Sequence, residues 1–129
     1  MSPSPSAIVK NVESVENPFV GQPHTLESHV REFFTDIPVL AEIARCESHF
    51  RHFDSNGKIL KGRADRRDIG LMQINEYFHG KQAGKLGFDI YTLDGNIAYA
   101  KWLYEKEGVD PWRNSQKCWT DVKKELAKQ

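Results

Sequence analysis

Residues 40–47 read LAEIARCE, an apolar helical pattern that ends on a charged residue, Glu47. Three apolar residues precede it at the spacing that puts side chains on one face of a helix: Leu40, Ile43 and Ala44. Burial disfavours an ionised carboxylate, so a glutamic acid on such a face can stay protonated near neutral pH and donate its proton to a leaving group. The alternative is that Glu47 lies at the helix edge, in water or paired with Arg45 or Arg51.

Helical patterns lie on both sides of this stretch. Thr25 suits the N-cap of an earlier helix. The apolar side of that helix would carry Leu26, Val30, Phe33, Phe34 and Ile37. Pro38 is tolerated in the first turn of the helix that bears Glu47. Residues 96–107 predict a long helix that Gly108 ends, and a lysine-rich helix is expected from Asp121.

A small β segment is expected between these helices. Residues 54–57 are a strong turn signal flanked by Phe53 and Ile59, which predicts a hairpin. Residues 70–75 indicate a strand or an extended entry into the next helix. The chain is therefore expected to be a mainly helical α+β domain.

Length and charge bound the function classes. The 129 residues suffice for one domain. The 18 basic and 18 acidic residues balance, so no overall positive potential favours binding to nucleic acid. The sequence contains no apolar run of about twenty residues, so it predicts no membrane span. Residues 1–22 are interpreted as a partly flexible extension that lacks a secretory-signal pattern, and residues 23–129 as the folded domain.

Two local features leave alternatives open. Residues 58–67 contain five basic residues and one acidic residue, Asp65, so this segment either attracts an anionic polymer or is a solvated loop. Cys46 and Cys118 either form a disulfide, worth about 2–4 kcal/mol in an extracytoplasmic setting, or are two unrelated buried thiols.

The order of motifs resembles a known superfamily. The chain offers Glu47-Ser48, then a hairpin, then DIGLMQIN at residues 68–75, then Asn96-Ile97 and Pro111-Trp112. Over residues 40–119 this order resembles the lysozyme superfamily, and within it the soluble lytic transglycosylases and the animal-type lysozymes. The resemblance implies a lysozyme-like fold with a β-hairpin wing and a substrate cleft in residues 23–129. It also implies a monomeric, extracytoplasmic muramidase whose export signal is not in this chain.

The resemblance assigns roles to several side chains. The implied reaction is cleavage of the β-1,4 bond between N-acetylmuramic acid and N-acetylglucosamine in peptidoglycan glycan strands, with Glu47 as general acid and then base. Gln73 matches an amide that hydrogen-bonds the substrate, and Met72 adds apolar contact. Ser48 would hydrogen-bond Glu47 or the leaving sugar, and Trp112 would wall the acid's pocket. The plainer interpretation makes Met72 and Trp112 core residues, with Gln73 bonded to backbone.

The two branches of the superfamily differ at position 68. Animal-type lysozymes carry a second catalytic aspartate here, whereas transglycosylases commonly have alanine and use the sugar's own 6-hydroxyl. Asp68 therefore favours hydrolysis, and the two carboxyl groups would then lie about 5 to 5.5 Å apart. The alternative is that Asp68 only pairs with Arg66 or Arg67 on the hairpin surface.

Two further positions complete the candidate substrate site. Asn75 closes the 68–75 motif and is expected to bind substrate. Transglycosylases place a tyrosine seven residues after the Asn that opens the last helix, where it holds the glutamic acid. Leu103 occupies that position, so Tyr104 or Tyr99 would have to supply the hydroxyl.

Metal and cofactor signals are absent from the sequence. His49, His52 and His79 lack the spacing of a metal-binding helix, so we expect neither a metal nor a cofactor. A non-catalytic glycan-binding module on the same fold is the alternative from another class, because a fold alone does not fix a function.

Overall fold

The computed structural model describes residues 24–120 and combines helices with one small sheet. Its elements in chain order are α1 (Leu26–Phe33), α2 (Pro38–Ser48), β1 (Asp68–Ile69), β2 (Ile74–Asn75), α3 (Glu76–Lys85), α4 (Leu93–Glu107) and a 3-10 helix (Asp110–Ser115). Residues 116–120 are helical. The α+β class is as predicted. The extension at residues 1–22 and the helix expected from Asp121 lie outside the described residues.

Local signals place most helix ends. The Thr25 side chain caps α1, and Pro38 occupies the first turn of α2, as predicted. Helix α4 begins at Leu93, three residues before the predicted start, because the side chain of Thr92 accepts a hydrogen bond from the first turn. Gly108 ends α4 at a φ of 68°, a conformation that glycine adopts without strain.

The core lies between α1, α2 and α4. Its largest fully buried apolar side chains include Val30, Phe34, Leu40, Ile43, Ile97, Leu103 and Trp119. Phe33 was predicted on the same face of α1 as Phe34 but is 39% exposed. Adjacent helical residues point about 100° apart, so only one of the two can follow Val30 into the core. Ile37 is half-buried and lies beyond the end of α1.

The hairpin forms around the predicted turn. One carboxyl oxygen of Asp54 accepts hydrogen bonds from the backbone N–H groups of Asn56 and Lys58. Phe53 and Ile59 then pair as antiparallel neighbours on either side of the turn. This short pairing confirms the predicted hairpin.

Residues 70–75 are not the single extended segment that was predicted. Strands β1 and β2 pair antiparallel, with Ile69 opposite Ile74, and the four residues between them form a tight turn. Gly70 and Gln73 adopt positive φ angles of 71° and 50°, which reverse the chain. A glycine at position 70 makes this reversal accessible, because other residues pay a steric cost there.

Side chains from distant segments fix this buried turn. The N–H of Leu71 donates to His52 Nδ1 at 3.0 Å, and the N–H of Met72 donates to Asn96 Oδ1 at 2.9 Å. Trp112 Nε1 donates to the Met72 carbonyl at 2.9 Å. The turn therefore has its buried backbone groups satisfied by three separate elements.

His52 is the buried link between the hairpin and the rest of the domain. Its Nε2 lies 2.9 Å from the Tyr91 carbonyl, so the ring donates there and accepts at Nδ1 as a neutral imidazole. Burial lowers the pKa of His52. The fold favours the neutral form of His52. The contribution of the neutral ring to the free energy of unfolding is therefore present above the ordinary histidine pKa and is lost as pH falls through the lowered pKa.

Gly70→Ala should destabilise the domain more than Gly57→Ala. Both glycines have positive φ, at 71° and 79°, so each substitution carries a strain of about 1–2 kcal/mol. A Cβ at Gly70 would also lie 2.4 Å from His52 Cε1, whereas a Cβ at Gly57 meets nothing within 4 Å. We expect this overpacking to cost about 1–3 kcal/mol more in urea unfolding. Equal losses in the two variants would contradict this packing of the turn.

Candidate active site

A cavity of about 320 Å³ lies between the end of α2, the two-stranded sheet, α3 and the 3-10 helix. Five of the predicted site residues line it: Glu47, Asp68, Gln73, Asn75 and Trp112. An adjoining cavity of about 490 Å³ shares only Glu47 and Gln73 with the first among the described residues. Glu47 and Gln73 therefore stand at the junction of one cleft with two halves.

Glu47 is half-buried at the penultimate position of α2. The helix ends directly after it, because His49 turns into the left-handed region at a φ of 56°. Burial raises the pKa of Glu47, the Ser115 hydroxyl acts against this by bonding the carboxylate, and the negative charge of Asp68 raises the pKa further. The carboxyl group can thus keep its proton at higher pH than an ordinary glutamic acid.

The two arginines that offered an alternative partner for Glu47 are engaged elsewhere. Arg45 Nε donates to Glu42 Oε1 at 2.9 Å, and Arg51 Nε donates to the Ser48 carbonyl at 3.0 Å. The structure therefore supports the burial of Glu47 rather than its pairing with Arg45 or Arg51.

Ser115 is the hydrogen-bond partner of Glu47. Its hydroxyl donates to Glu47 Oε2 at 2.6 Å and accepts from Trp119 Nε1 at 3.0 Å. The serine has one hydroxyl proton, and its two possible acceptors are Glu47 Oε2 at 2.6 Å and the Trp112 carbonyl at 3.2 Å, so the shorter distance favours the carboxyl group. Sequence reasoning missed Ser115, because nothing local marks a serine that far along the chain from Glu47.

The predicted tyrosine contact with Glu47 is not found. Leu103, which the resemblance to transglycosylases aligns with a tyrosine, lines the cavity, and Tyr104 is half-buried against the core. The Tyr99 hydroxyl lies 3.0 Å from His79 Nδ1 and accepts from Gln82 Nε2. The role of holding the glutamic acid belongs to Ser115 instead, because the 3-10 helix brings its hydroxyl to the carboxyl group.

A disulfide joins Cys46 to Cys118, 72 residues apart in the chain. Cys46 precedes Glu47, and Cys118 follows Ser115 by three residues in the adjoining helical segment. The bridge ties α2 to the segment that carries the hydroxyl partner of Glu47. Closure of so long a loop contributes about 2–4 kcal/mol to the free energy of unfolding.

Asp68 faces the same cavity as Glu47 and is half-buried. Burial raises its pKa, the hydrogen bond from Asn75 Nδ2 at 2.9 Å lowers it, and the charge of Asp65 raises it. Arg67, a possible surface partner of Asp68, instead makes two bonds to Asp65, at 3.0 and 3.1 Å. Asp68 is thus directed into the cavity by an amide rather than paired with a cation. The separation of 5 to 5.5 Å between the two carboxyl groups stays a prediction.

Asn75 positions other groups. Its Oδ1 accepts from the N–H groups of Tyr77 and Phe78 and so caps α3, while its Nδ2 donates to Asp68 and Asp65. Both ends of the amide are therefore occupied within the protein. Asn75 lines the cavity as predicted, but its contacts orient Asp68 rather than leave an amide open to a ligand.

Gln73 and Trp112 form walls of the cleft. Gln73 Nε2 donates to the Gly70 carbonyl at 2.9 Å, and the residue borders both cavities. Trp112 is 2% exposed and therefore belongs to the core, and it also lines the first cavity. The two interpretations of Trp112, a pocket wall and a core residue, both hold.

Ser48 and Met72 do not reach the cleft, contrary to the predicted substrate contacts. Ser48 Oγ donates to the Ala44 carbonyl and accepts from the Arg51 N–H, and its side chain is buried. Ser48 follows Glu47 by one residue on a helix, so its side chain points about 100° away. Met72 is fully buried in the turn between β1 and β2, where it can only serve the core.

The structure adds an aromatic residue at the rim of the cleft. Phe78 lines the first cavity while 69% exposed, and its ring packs edge-to-face on Tyr77. An exposed aromatic face beside a polar cavity is suited to stacking on a sugar ring. The sequence signal was the aromatic pair Tyr77-Phe78, which follows Asn75 after one intervening residue.

Residues 24–120 contain neither a metal-type cluster nor a membrane-spanning helix. No group of three His, Cys, Asp or Glu side chains there is arranged to hold a metal ion. No helix of this region is both long and apolar enough to cross a bilayer.

Comparisons with protein-family models, with curated proteins and with solved structures found no match to this chain. The chemistry of the cleft therefore has to be inferred from its own residues.

Substitutions of Ser115 and of Asp68 should move the pKa of Glu47 in opposite directions. Ser115→Ala removes a hydrogen bond that favours the ionised form and should raise the pKa, whereas Asp68→Asn removes a negative charge and should lower it. Carbon-13 NMR titration of the Glu47 carboxyl measures both shifts. Ser55→Ala, in the exposed hairpin turn, is the matched control and should leave the titration unchanged. Shifts of the same sign would refute this electrostatic description.

Proposed function

We propose that this chain is a peptidoglycan-cleaving glycosidase that hydrolyses the β-1,4 bond between N-acetylmuramic acid and N-acetylglucosamine. The observation that carries the proposal is Glu47, half-buried at the junction of two cavities, with a raised pKa and a second carboxyl group, Asp68, facing the same cavity. A protonated carboxylic acid and a second carboxylate facing one cavity are the pair that hydrolysis of a glycosidic bond uses.

In this mechanism Glu47 acts first as acid. It donates its proton to the glycosidic oxygen as the bond to the anomeric carbon breaks, and positive charge develops on the sugar. The resulting carboxylate is stabilised by the hydrogen bond from Ser115. Glu47 then takes a proton from the attacking water, which restores its starting state.

Asp68 is the group that completes hydrolysis. Its carboxylate either attacks the anomeric carbon or stabilises the positive charge from the opposite side of the ring. Asn75 holds one of its oxygens, which fixes the direction of the other. Gln73 and the exposed ring of Phe78 supply polar and stacking contacts to the sugars on the cleft walls.

We infer a lysozyme-like fold from the same observations. The acid at the end of a helix, the hairpin, the turn that carries Gln73 and the tryptophan behind the cavity follow in the order of the motifs that resemble that superfamily. The disulfide between Cys46 and Cys118 fits an extracytoplasmic location, where such bonds persist. The partner in this proposal is the glycan strand, bound by a monomer.

A lytic transglycosylase is the second candidate, and one observation favours it. The pKa of Asp68 is raised, by burial first, so this carboxyl group is less readily ionised than an exposed aspartic acid. Attack by the sugar's own 6-hydroxyl, with Glu47 as base, needs no second carboxylate. The product would then be a 1,6-anhydro-muramic acid.

Glu47→Gln should keep the fold and reduce cell-wall cleavage by about 10²–10⁴-fold, because the amide has no proton to donate. Release of soluble fragments from purified peptidoglycan measures this loss. Glu105→Gln, on the exposed face of α4, is the matched control and should retain full activity. Full activity of the Glu47→Gln protein would contradict the proposal. If the wild type binds glycan tightly but does not cleave it, the chain is a binding module instead.

Product mass separates the two chemistries. Hydrolysis gives reducing ends, whereas transglycosylation gives anhydro ends that are one water lighter. We expect reducing ends from the wild type, and a slower reaction from Asp68→Asn. Anhydro ends from the wild type, together with unchanged activity of Asp68→Asn, would establish the second candidate.

A further inference from the structure

The second half of the cleft is lined by basic side chains. His49, Arg51, Lys61 and Arg63 border the cavity of about 490 Å³, and Glu47 is the one acidic side chain among the described residues that line it. Two of these cations come from the basic segment at residues 58–67. That segment is therefore more than a solvated loop, because it forms a wall beside the candidate acid.

The cations of this cavity are available to a ligand. Arg51, Lys61 and Arg63 are exposed, and none of the ion pairs found within residues 24–120 includes them. Arg51 Nε donates to the Ser48 carbonyl, which orients the guanidinium while its terminal nitrogens stay accessible. An arginine held in this way presents paired donors that match the two oxygens of a carboxylate.

The other half of the cleft carries the opposite charge. Asp65 and Asp68 line the first cavity together with Glu47. The chain has no net charge, so this separation of charge about Glu47 is a local property of the cleft. A polymer of neutral sugars would form no charge pair with the basic half, whereas a polymer with an anionic substituent on alternate sugars would.

We propose that the basic cavity binds a carboxylate carried by the 3-O-lactyl substituent of N-acetylmuramic acid. The carboxylate is either that of the lactyl group itself, where no peptide is attached, or one belonging to the attached stem peptide. The inference rests on the proposed function and names its specificity: the enzyme prefers acid-bearing strands to neutral N-acetylglucosamine oligomers. Arg51 and Arg63 are the binding residues, with Lys61 beside them.

The test compares substrates that differ only in charge. Soluble strands that carry peptide, and soluble strands without peptide, are each cleaved before and after their free carboxylates are converted to amides by carbodiimide coupling to ammonia. We expect KM to rise about tenfold on amidation, the loss of one charge-assisted contact. Strands stripped of peptide by an amidase, which leaves a free lactyl carboxylate, identify the source. A rise in KM on amidation of the stripped strands assigns the lactyl group, and a rise confined to the peptide-bearing strands assigns the peptide.

Paired variants locate the effect. Arg51→Gln combined with Arg63→Gln should raise KM about tenfold on the charged strands and leave the amidated strands unaffected. Lys58→Gln combined with Arg66→Gln removes two charges from the same basic segment outside the cavity lining and should change neither value. Equal cleavage of charged and amidated strands of both kinds, with and without peptide, or equal losses in both double variants, would overturn the inference.

Binding separates this inference from the proposed function. Calorimetry with the Glu47→Gln protein measures affinity for the charged and amidated strands without turnover. A wild type that cleaves no substrate while Glu47→Gln prefers the charged strands would overturn the proposed function and keep the carboxylate site. Binding of both strands with one affinity would overturn the carboxylate site alone if the wild type is active.

Discussion

The anchoring of one buried turn is the constraint on which the cleft depends. His52 and Asn96 accept the N–H groups of Leu71 and Met72, so the backbone between β1 and β2 is held from the hairpin and from α4 at once. The Met72 carbonyl in turn accepts the Trp112 N–H, which brings the 3-10 helix onto the sheet. Buried backbone groups without partners would cost more than these bonds contribute, so the three elements have one favourable arrangement.

The electrostatics of Glu47 follow from this arrangement. The 3-10 helix that Trp112 anchors also carries Ser115, whose hydroxyl meets the carboxyl group, and the disulfide ties the same segment to α2. Burial and the charge of Asp68 raise the pKa of Glu47 while the serine lowers it, so the site balances proton retention against stabilisation of the ionised carboxylate. The separation of acidic and basic side chains along the cleft is a second consequence of the same packing.

Sequence reasoning succeeded where a feature is local. Each such feature depends on a few neighbouring residues, whose preferences do not change with the tertiary fold. These features are the cap at Thr25, the proline at position 38, the hairpin turn and the helix end at Gly108. It failed where a side chain's direction depends on distant packing. Met72 was assigned to the substrate and is core, because packing turns it inward. The assignment of Ser48 to the cleft was wrong for a different reason: helix geometry points it about 100° away from Glu47, and it bonds its own helix.

By itself, the sequence determined the α+β class and the helix with Glu47 near its end, because periodicity and caps depend on neighbouring residues. The candidate set of Glu47, Asp68, Gln73 and Trp112 was what the resemblance of the motif order implied. The tertiary structure decided that Ser115 rather than a tyrosine meets Glu47, that Asn75 orients Asp68, and that cations from residues 51–63 line half of the cleft. These contacts join segments far apart in the chain. Their geometry depends on how the buried turn and the disulfide close the domain.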